Sequence, residues 1–282
     1  MTLRPAWLAD QGAQRLVAAG YPSGPAEARI LLADALHIQT TDLAVTSQVD
    51  PASAARFEKL IQARLAGTPL QYLTGVAHFR YSSLLVGPGV LIPRPETEGL
   101  VQLVIDWIAN LGLARPVVVD LGTGSGAIAL ALASETPAAV YAVEASVEAW
   151  EYAKANLAGR GVVLELGDWA QAFGQLDGQA DVVVANPPYI PDGTSLPVDV
   201  CHEPAEALFA GDDGLDAIAE VVAAAERLLR PGGLLAVEHD EGQAVSAPAL
   251  ARASGAFIEV VDLVDLVGRP RYLTARRRVD RG

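Results

Sequence analysis

Val117-Val118-Val119-Asp120 runs through Leu121 into Gly122-Thr123-Gly124-Ser125-Gly126 and then into an Ala/Ile/Leu-rich segment, Ala127 to Ala133. A β-branched run, a glycine cluster and a helix-forming run in that order predict a strand, a tight loop and a helix. That unit directs the chain to an α/β fold with a mostly parallel sheet and helices on its faces. It is also a cofactor cradle, because glycines let the backbone come close and the helix amino end offers free N–H groups. Gly122, Gly124 and Ala127 satisfy the dinucleotide spacing G-x-G-x-x-G/A, so the glycines alone leave NAD open.

Three further apolar runs place chemistry at strand ends. Ala139 to Val143 ends at Glu144, 24 residues after Asp120, where an acid can accept hydrogen bonds from ribose hydroxyls in either cofactor class. A solvated strand-end acid is the alternative. Val162 to Leu166 leads to Gly167-Asp168-Trp169, where a carboxylate and an indole side by side suit an exocyclic amine and a flat ring such as adenine. A structural tryptophan would read the same way. Asp181 to Ala185 delivers Asn186-Pro187-Pro188-Tyr189 beside the first strand in a doubly wound order.

The two prolines stop that strand and hold Asn186 in a narrow backbone range at its carboxyl end. A carboxamide fixed there accepts one N–H and donates another, which suits an amino or amide nitrogen. A proline-rich turn with a capping Asn is the bland reading. With this lip on the side where a nicotinamide needs room, an adenosine-type cofactor without a second nucleotide fits better than NAD.

The remaining chain frames this unit. Residues 1–75 are expected to form a small helical bundle, with Pro5, Pro25 and Asp50-Pro51 opening helices and Leu8, Leu16, Ile30, Leu31, Phe57, Leu60, Ile61 and Leu65 on apolar faces. Residues 76–95, punctuated by Gly and Pro, predict a hairpin linker, and 96–282 the catalytic domain. Leu91 to Glu98 ends in a helix start, with Thr97 and the two glutamates suited to an N-terminal turn. Later segments predict a helix Leu215 to Leu229, a turn Arg230-Pro231-Gly232-Gly233, a strand Leu234 to Glu238, a helix Gly242 to Ser254 and two last strands with an antiparallel pairing, seven strands in all. Arg276-Arg277-Arg278 is expected to be a solvated tail.

Charge and cysteine usage exclude several classes. Residues 111–268 hold 24 acidic and 6 basic groups, a net of −18, which repels phosphate backbones and disfavours general nucleic-acid binding. Cys201 is the only cysteine, so no internal disulfide or Cys-rich zinc site forms, and a reducing compartment fits. Cys201-His202 are adjacent and point apart, with no third group for nucleophile or metal chemistry. With no long uncharged apolar run and no signal pattern, a cytoplasmic protein is expected, without membrane partners or a metal.

Taken together, Asp120 to Gly126 and Asn186 to Tyr189 resemble the class I S-adenosylmethionine methyltransferases. More narrowly, the chain is similar to the release factor glutamine methyltransferases, the HemK/PrmC family. That likeness spans residues 60–275 and adds Gly67 to Tyr72 with Thr74-Gly75, Leu91 to Glu98, Asp168-Trp169, Glu203-Pro204 and Asp262 to Arg271. It departs at Cys201-His202, where the family often carries a basic residue and an aromatic.

The resemblance implies a Rossmann-like methyltransferase domain that moves a methyl group from S-adenosylmethionine to the glutamine amide nitrogen of the Gly-Gly-Gln loop of peptide-chain release factors. It implies cofactor binding by Gly122, Thr123, Gly124, Ser125, Gly126, Glu144, Asp168, Trp169 and Asn186, catalysis by Asn186 and Pro187, and substrate binding by Asn186, Pro187, Pro188 and Tyr189. The helical bundle is expected to dock the protein substrate. An adenine-N6 methyltransferase on DNA or RNA shares the tetrapeptide type and is the rival, against which the acidic domain argues. A pseudoenzyme adaptor is a third class, against which Asn186 and Glu144 argue.

Overall fold

The computed structural model describes residues 3–279. They form two compact units, one running up to Val76 and including Leu196–His202, the other comprising Ala77–Ser195 and the chain from Glu203 on.

The smaller unit holds α1 (Pro5–Ala18), α2 (Gly24–Leu36), α3 (Pro51–Leu65) and α4 (Leu70–Thr74). Leu16, Leu31, Leu32, Phe57 and Ile61 are its buried centre. The Asp50 side chain caps α3 by accepting from Ala52 N–H at 2.9 Å and Ser53 N–H at 3.0 Å, and Pro51 follows where no N–H is needed. Arg64 and Glu27 pair inside this unit at 2.7 Å, with the Arg64 guanidinium 3.9 Å above the Tyr21 ring.

The larger unit opens with the hairpin β1 (Val76–Phe79) and β2 (Ser82–Leu85), then α5 (Pro95–Leu111), β3 (Val117–Leu121), α6 (Ala127–Glu135), β4 (Ala139–Glu144), α7 (Val147–Asn156), β5 (Val163–Leu166) and β6 (Ala180–Ala185). After the irregular stretch come α8 (Asp216–Leu228), β7 (Leu229–Glu238), α9 (Ser246–Ala253), β8 (Phe257–Val264) and β9 (Pro270–Arg277). Seven strands pair in the order β5-β4-β3-β6-β7-β9-β8, with β9 antiparallel to both neighbours and every other pairing parallel.

Alternate residues of the central strands bury on opposite faces. Val119, Leu121 and Val183 pack with Ile218, Val221 and Leu228 of α8, while Val118, Val182 and Val184 pack with Leu100, Val104, Ile128 and Leu132 of α5 and α6. Phe79 and Leu84 of the hairpin sit in the second of these cores. No helix among the described residues is long and apolar enough to cross a membrane.

Three sequence expectations change. Arg230 to Gly233 falls inside β7 as an irregularity: β6 pairs with Leu229 and next with Leu234, the four residues between have no β6 partner, and Gly232 turns at a φ of 79°. The segment from Gly242 divides into a 3-10 turn, Glu241–Gln243, closed by a capping box on Asp240, and then α9. Arg276 and Arg277 belong to β9, where the Arg277 Nε donates to the Glu226 carbonyl at 3.1 Å. A basic run tolerates strand structure when its backbone has a ladder to join.

Candidate active site

Register brings the strand ends to one level. Leu121 lies opposite Val143 on one side and Ala185 on the other, so the next residues, Gly122, Glu144 and Asn186, emerge side by side at the carboxyl edge of the sheet. Leu166 pairs with Glu144, which brings Gly167 to the same edge. This is where ligands bind in open α/β sheets.

A cavity of about 170 Å³ occupies that edge, and Gly122, Gly124, Glu144, Trp169, Asn186, Pro187 and Pro188 all line it. Gly89, Val90, Leu91, Pro204 and Glu206 line it as well, and these were not expected from the sequence. Gly122 and Gly124 have φ values of 71° and 58°, the left-handed region that favours glycine. Glu144 braces the loop, since its Oε2 accepts from Gly124 N–H at 2.7 Å and its Oε1 from Ser146 N–H at 2.9 Å. Each carboxylate oxygen keeps a further lone pair for a ribose hydroxyl.

The other expected site residues lie outside the lining. Thr123 is buried and donates through Oγ1 to Asp120 Oδ2 at 2.6 Å; Ser125 is buried and its carbonyl accepts from Asn156 Nδ2 at 2.8 Å; Gly126 is the N-cap of α6. They shape the loop from beneath. Asp168 is exposed, with Oδ1 accepting from Ala170 N–H at 2.8 Å, whereas the indole of Trp169 reaches the cleft and donates to Glu220 at 3.2 Å. Tyr189 packs against the core beside α8 and donates to Glu238 Oε1 at 3.4 Å.

Asn186 is half-buried, and its Nδ2 donates to Thr97 Oγ1 at 3.0 Å. The carboxamide oxygen is thereby left for the cleft that Asn186 lines. Thr97 stands, as expected, in the first turn of α5, where Arg94 is the N-cap and Pro95 the first helical residue, and its side chain is buried. Two more buried residues tie the surrounding segments, Gln243 the lip and Glu203 the stretch before α5. Gln243 Nε2 donates to the Tyr189 carbonyl at 3.0 Å and the Gly214 carbonyl at 3.1 Å, and Glu203 accepts from Ile92 N–H at 3.0 Å and Arg94 Nη2 at 2.6 Å. Cys201 and His202 are exposed on a short turn within the smaller unit.

Two acids at the site are held partly neutral. Burial pushes Asp120 up to about 7 against the opposing hydrogen bonds from Thr123 and the Ala129 backbone, with the charge of Glu144 adding to the rise. Burial likewise raises Glu238 to about 7, opposed by Thr97, Arg271 and Tyr189. Burial and the charge of Glu238 raise the Tyr189 hydroxyl as well.

The donor set distinguishes cofactor classes. Among the described residues no lysine or arginine lines the cavity, whose charged lining residues are Glu144 and Glu206. A pyrophosphate would meet only like charge there, whereas an adenosine bearing a sulfonium matches an apolar cleft with acids at its edge. S-adenosylmethionine therefore fits the residues present. Among the described residues no cluster of three His, Cys, Asp or Glu could hold a metal ion.

Comparison with known proteins agrees with this chemistry. Residues 8–75 match the family described as PrmC N-terminal domain, and residues 102–207 the methyltransferase small domain. The chain is 44% identical to the release factor glutamine methyltransferase of Streptomyces coelicolor over 95% of this chain and 96% of that protein. It is 39% identical to the 4-amino-L-phenylalanine/4-methylamino-L-phenylalanine methyltransferase of Streptomyces pristinaespiralis, over 87% of this chain and 86% of that one. In fold it is similar to the T. thermophilus 16S rRNA N2 G1207 methyltransferase in complex with AdoMet and guanosine, with a TM-score of 0.52 and 21% identity over 72% of this chain and 50% of that one.

Proposed function

The chain belongs to the release factor glutamine methyltransferases, and from that membership we propose that Asn186 and Pro187 hold the glutamine amide of a release factor while its nitrogen is methylated. It is an S-adenosylmethionine-dependent protein-(glutamine-N5) methyltransferase with a Rossmann-like catalytic domain. The observation that carries the site assignment is the Asn186 carboxamide, tied by its nitrogen to Thr97 at the level of Gly122 and Glu144.

An amide nitrogen is a poor nucleophile because its lone pair is shared with the carbonyl, the resonance behind a rotational barrier of about 18–20 kcal/mol in peptide bonds. S-adenosylmethionine, when bound, supplies a methyl group made electrophilic by its sulfonium. The chain's task is to aim the nitrogen. Asn186 Oδ1 takes one amide N–H and the Pro187 carbonyl, which can only accept, takes the other, so the lone pair is directed into the cleft. Positive charge would grow on the nitrogen as it takes the methyl group, and those two oxygens would stabilise it. The surplus proton leaves to water, because an N-alkylated amide cation is a strong acid and, among the described residues, no lysine, arginine or histidine lines the cleft. Gly122, Gly124, Glu144 and Trp169 would hold the cofactor, with Glu144 on the ribose and Trp169 beside the adenine. Pro188 and Tyr189 complete the substrate lip.

The helical unit we take as the docking surface for the protein substrate, since a single inserted loop offers less than the roughly 1,200–2,000 Å² that specific complexes bury. The reaction belongs in the cytoplasm, where translation ends, without direct contact to nucleic acid. One assay tests the reading: labelled S-adenosylmethionine with a release factor, duplex DNA, RNA and 4-amino-L-phenylalanine in parallel. Label on the release factor glutamine is expected. Label on nucleic acid alone would support adenine-N6 methylation, and label on the aryl amine alone would place the chain with the S. pristinaespiralis relative.

A further inference from the structure

The hydrogen bond from Asn186 to Thr97 is one link of a buried chain with a direction. Thr97 is 4% exposed and accepts from Asn186 Nδ2, which leaves its own hydroxyl proton to be placed. Thr97 favours the ionised form of Glu238, the last residue of β7, which also receives the Tyr189 hydroxyl at 3.4 Å. Glu238 is 1% exposed, makes no ion pair among the described residues, and its Oε2 is buried without a partner. Arg271 stands near, but its Nη1 donates to the His239 carbonyl at 3.2 Å. A buried acid without an ion pair is costly, and its retention calls for a role.

The shape of a carboxamide does not supply that role's answer. Its oxygen and nitrogen ends are nearly equal in size, and a threonine hydroxyl both donates and accepts, so Thr97 alone would hold Asn186 in either orientation. An ionised carboxylate only accepts. We infer that Glu238, acting through Thr97, is a positioning residue that sets which end of the Asn186 carboxamide faces the cleft. With the Thr97 proton committed to Glu238, Thr97 presents only lone pairs to Asn186, the amide nitrogen turns inward, and the oxygen turns to the substrate. The reverse orientation would set the NH2 of Asn186 against the N–H groups of the incoming glutamine.

Protonation removes the directionality, because a neutral carboxyl group can itself donate to Thr97. The groups that face Glu238 are Glu96 and Thr97 from α5, Arg271 and Tyr272 from β9, and Tyr189 from the lip. Arg271, Thr97 and Tyr189 favour the ionised form, and Glu96 opposes it. The orientation is therefore held more firmly as pH rises through neutrality.

The inference rests on the glutamine-methylation reading, so its test has one readout with substrate and one without. Thr97→Val removes the hydroxyl at constant size, Thr97→Ser keeps it, and Glu238→Gln adds a donor at constant shape. Turnover of a release factor should fall about tenfold or more in Thr97→Val and Glu238→Gln, with S-adenosylmethionine affinity within about twofold, and recover in Thr97→Ser. The wild-type kcat should rise with pH along a limb that Glu238→Gln lacks. Without substrate, the side-chain amide ¹⁵N–¹H pair of Asn186, identified by its loss in Asn186→Asp, should be protected from exchange in the wild type and Thr97→Ser and unprotected in Thr97→Val and Glu238→Gln. Wild-type kcat in Thr97→Val, or unchanged amide protection in both disrupting variants, overturns the assignment. If protection follows the variants but the wild type leaves release factors unmethylated, the orientation device stands and the substrate reading fails.

Discussion

Trp169 and Gly122 compete for the same space: a Cβ added to Gly122 would lie 2.9 Å from Cζ3 of the Trp169 ring. The indole cannot swing aside without losing its bond to Glu220. Gly122→Ala also meets a φ of 71°, where a non-glycine residue costs roughly 1–2 kcal/mol. The variant is expected to fold with a lowered Tm and to bind S-adenosylmethionine at least about tenfold more weakly, as the loop and ring part. Calorimetric titration checks this, and wild-type affinity would mean that neither the loop nor the ring contacts the cofactor.

Glu144→Ala should weaken S-adenosylmethionine binding far more than it disturbs folding. A charge-assisted hydrogen bond to a ribose hydroxyl is typically about 1.5–3 kcal/mol, or roughly ten- to a hundredfold in affinity. The same substitution frees the Gly124 and Ser146 amides, so a modest fall in Tm accompanies it. A folded variant with unchanged affinity would remove Glu144 from the cofactor site.

Asn186→Ala is expected to lower single-turnover methylation of a release factor by on the order of a hundredfold or more, with cofactor affinity within a few-fold, because one preorganised polar contact is worth about 2.7–4 kcal/mol in a transition state. Retention of the wild-type rate would make the carboxamide a structural cap.

Asp120 ties stability to pH. Its folded carboxyl is raised to about 7 by burial, from an ordinary value of 3.8. Between those values the folded state holds a proton that the unfolded chain has released, so this group's effect is to lower stability as pH rises through that window. The full span is roughly 4 kcal/mol. Urea midpoints at pH about 5 and 7.5 should converge in Asp120→Asn relative to the wild type; an equal pH slope in both would show that the side chain ionises freely.

The elements that place the cleft were legible in the sequence because their signals are local. Val117 to Gly126 needs only a β-branched run followed by glycines, and Asn186 needs only the two prolines behind it. The residues that orient the site are not local. Thr97 lies 89 positions from Asn186 and Glu238 lies 49 from Tyr189, so no spacing rule joins them. Thr97 also carried a sufficient local explanation, a place in the first turn of a helix, which it does occupy and which hid its second role. Gln243 sat inside an expected helix and instead closes a capping box that frees its Nε2 for the lip. Proline and glycine at Arg230 to Gly233 signalled a turn, and the chain does break its pairing with β6 there, inside a strand that resumes at Leu234.

The placement of β9 gives the chain a timetable. It is made after β8 yet lies between β7 and β8, so β8 has no neighbour to join until β9 has been synthesised. Until then a nascent chain carries an unpaired β7 edge and a loose apolar strand, both invitations to aggregate. Tyr272 of β9 also lies opposite Glu238 and donates to the Glu96 carbonyl at 2.7 Å, in the first turn of the helix that carries Thr97. The support that β9 gives to the helix carrying Thr97 therefore arrives only when the sheet closes.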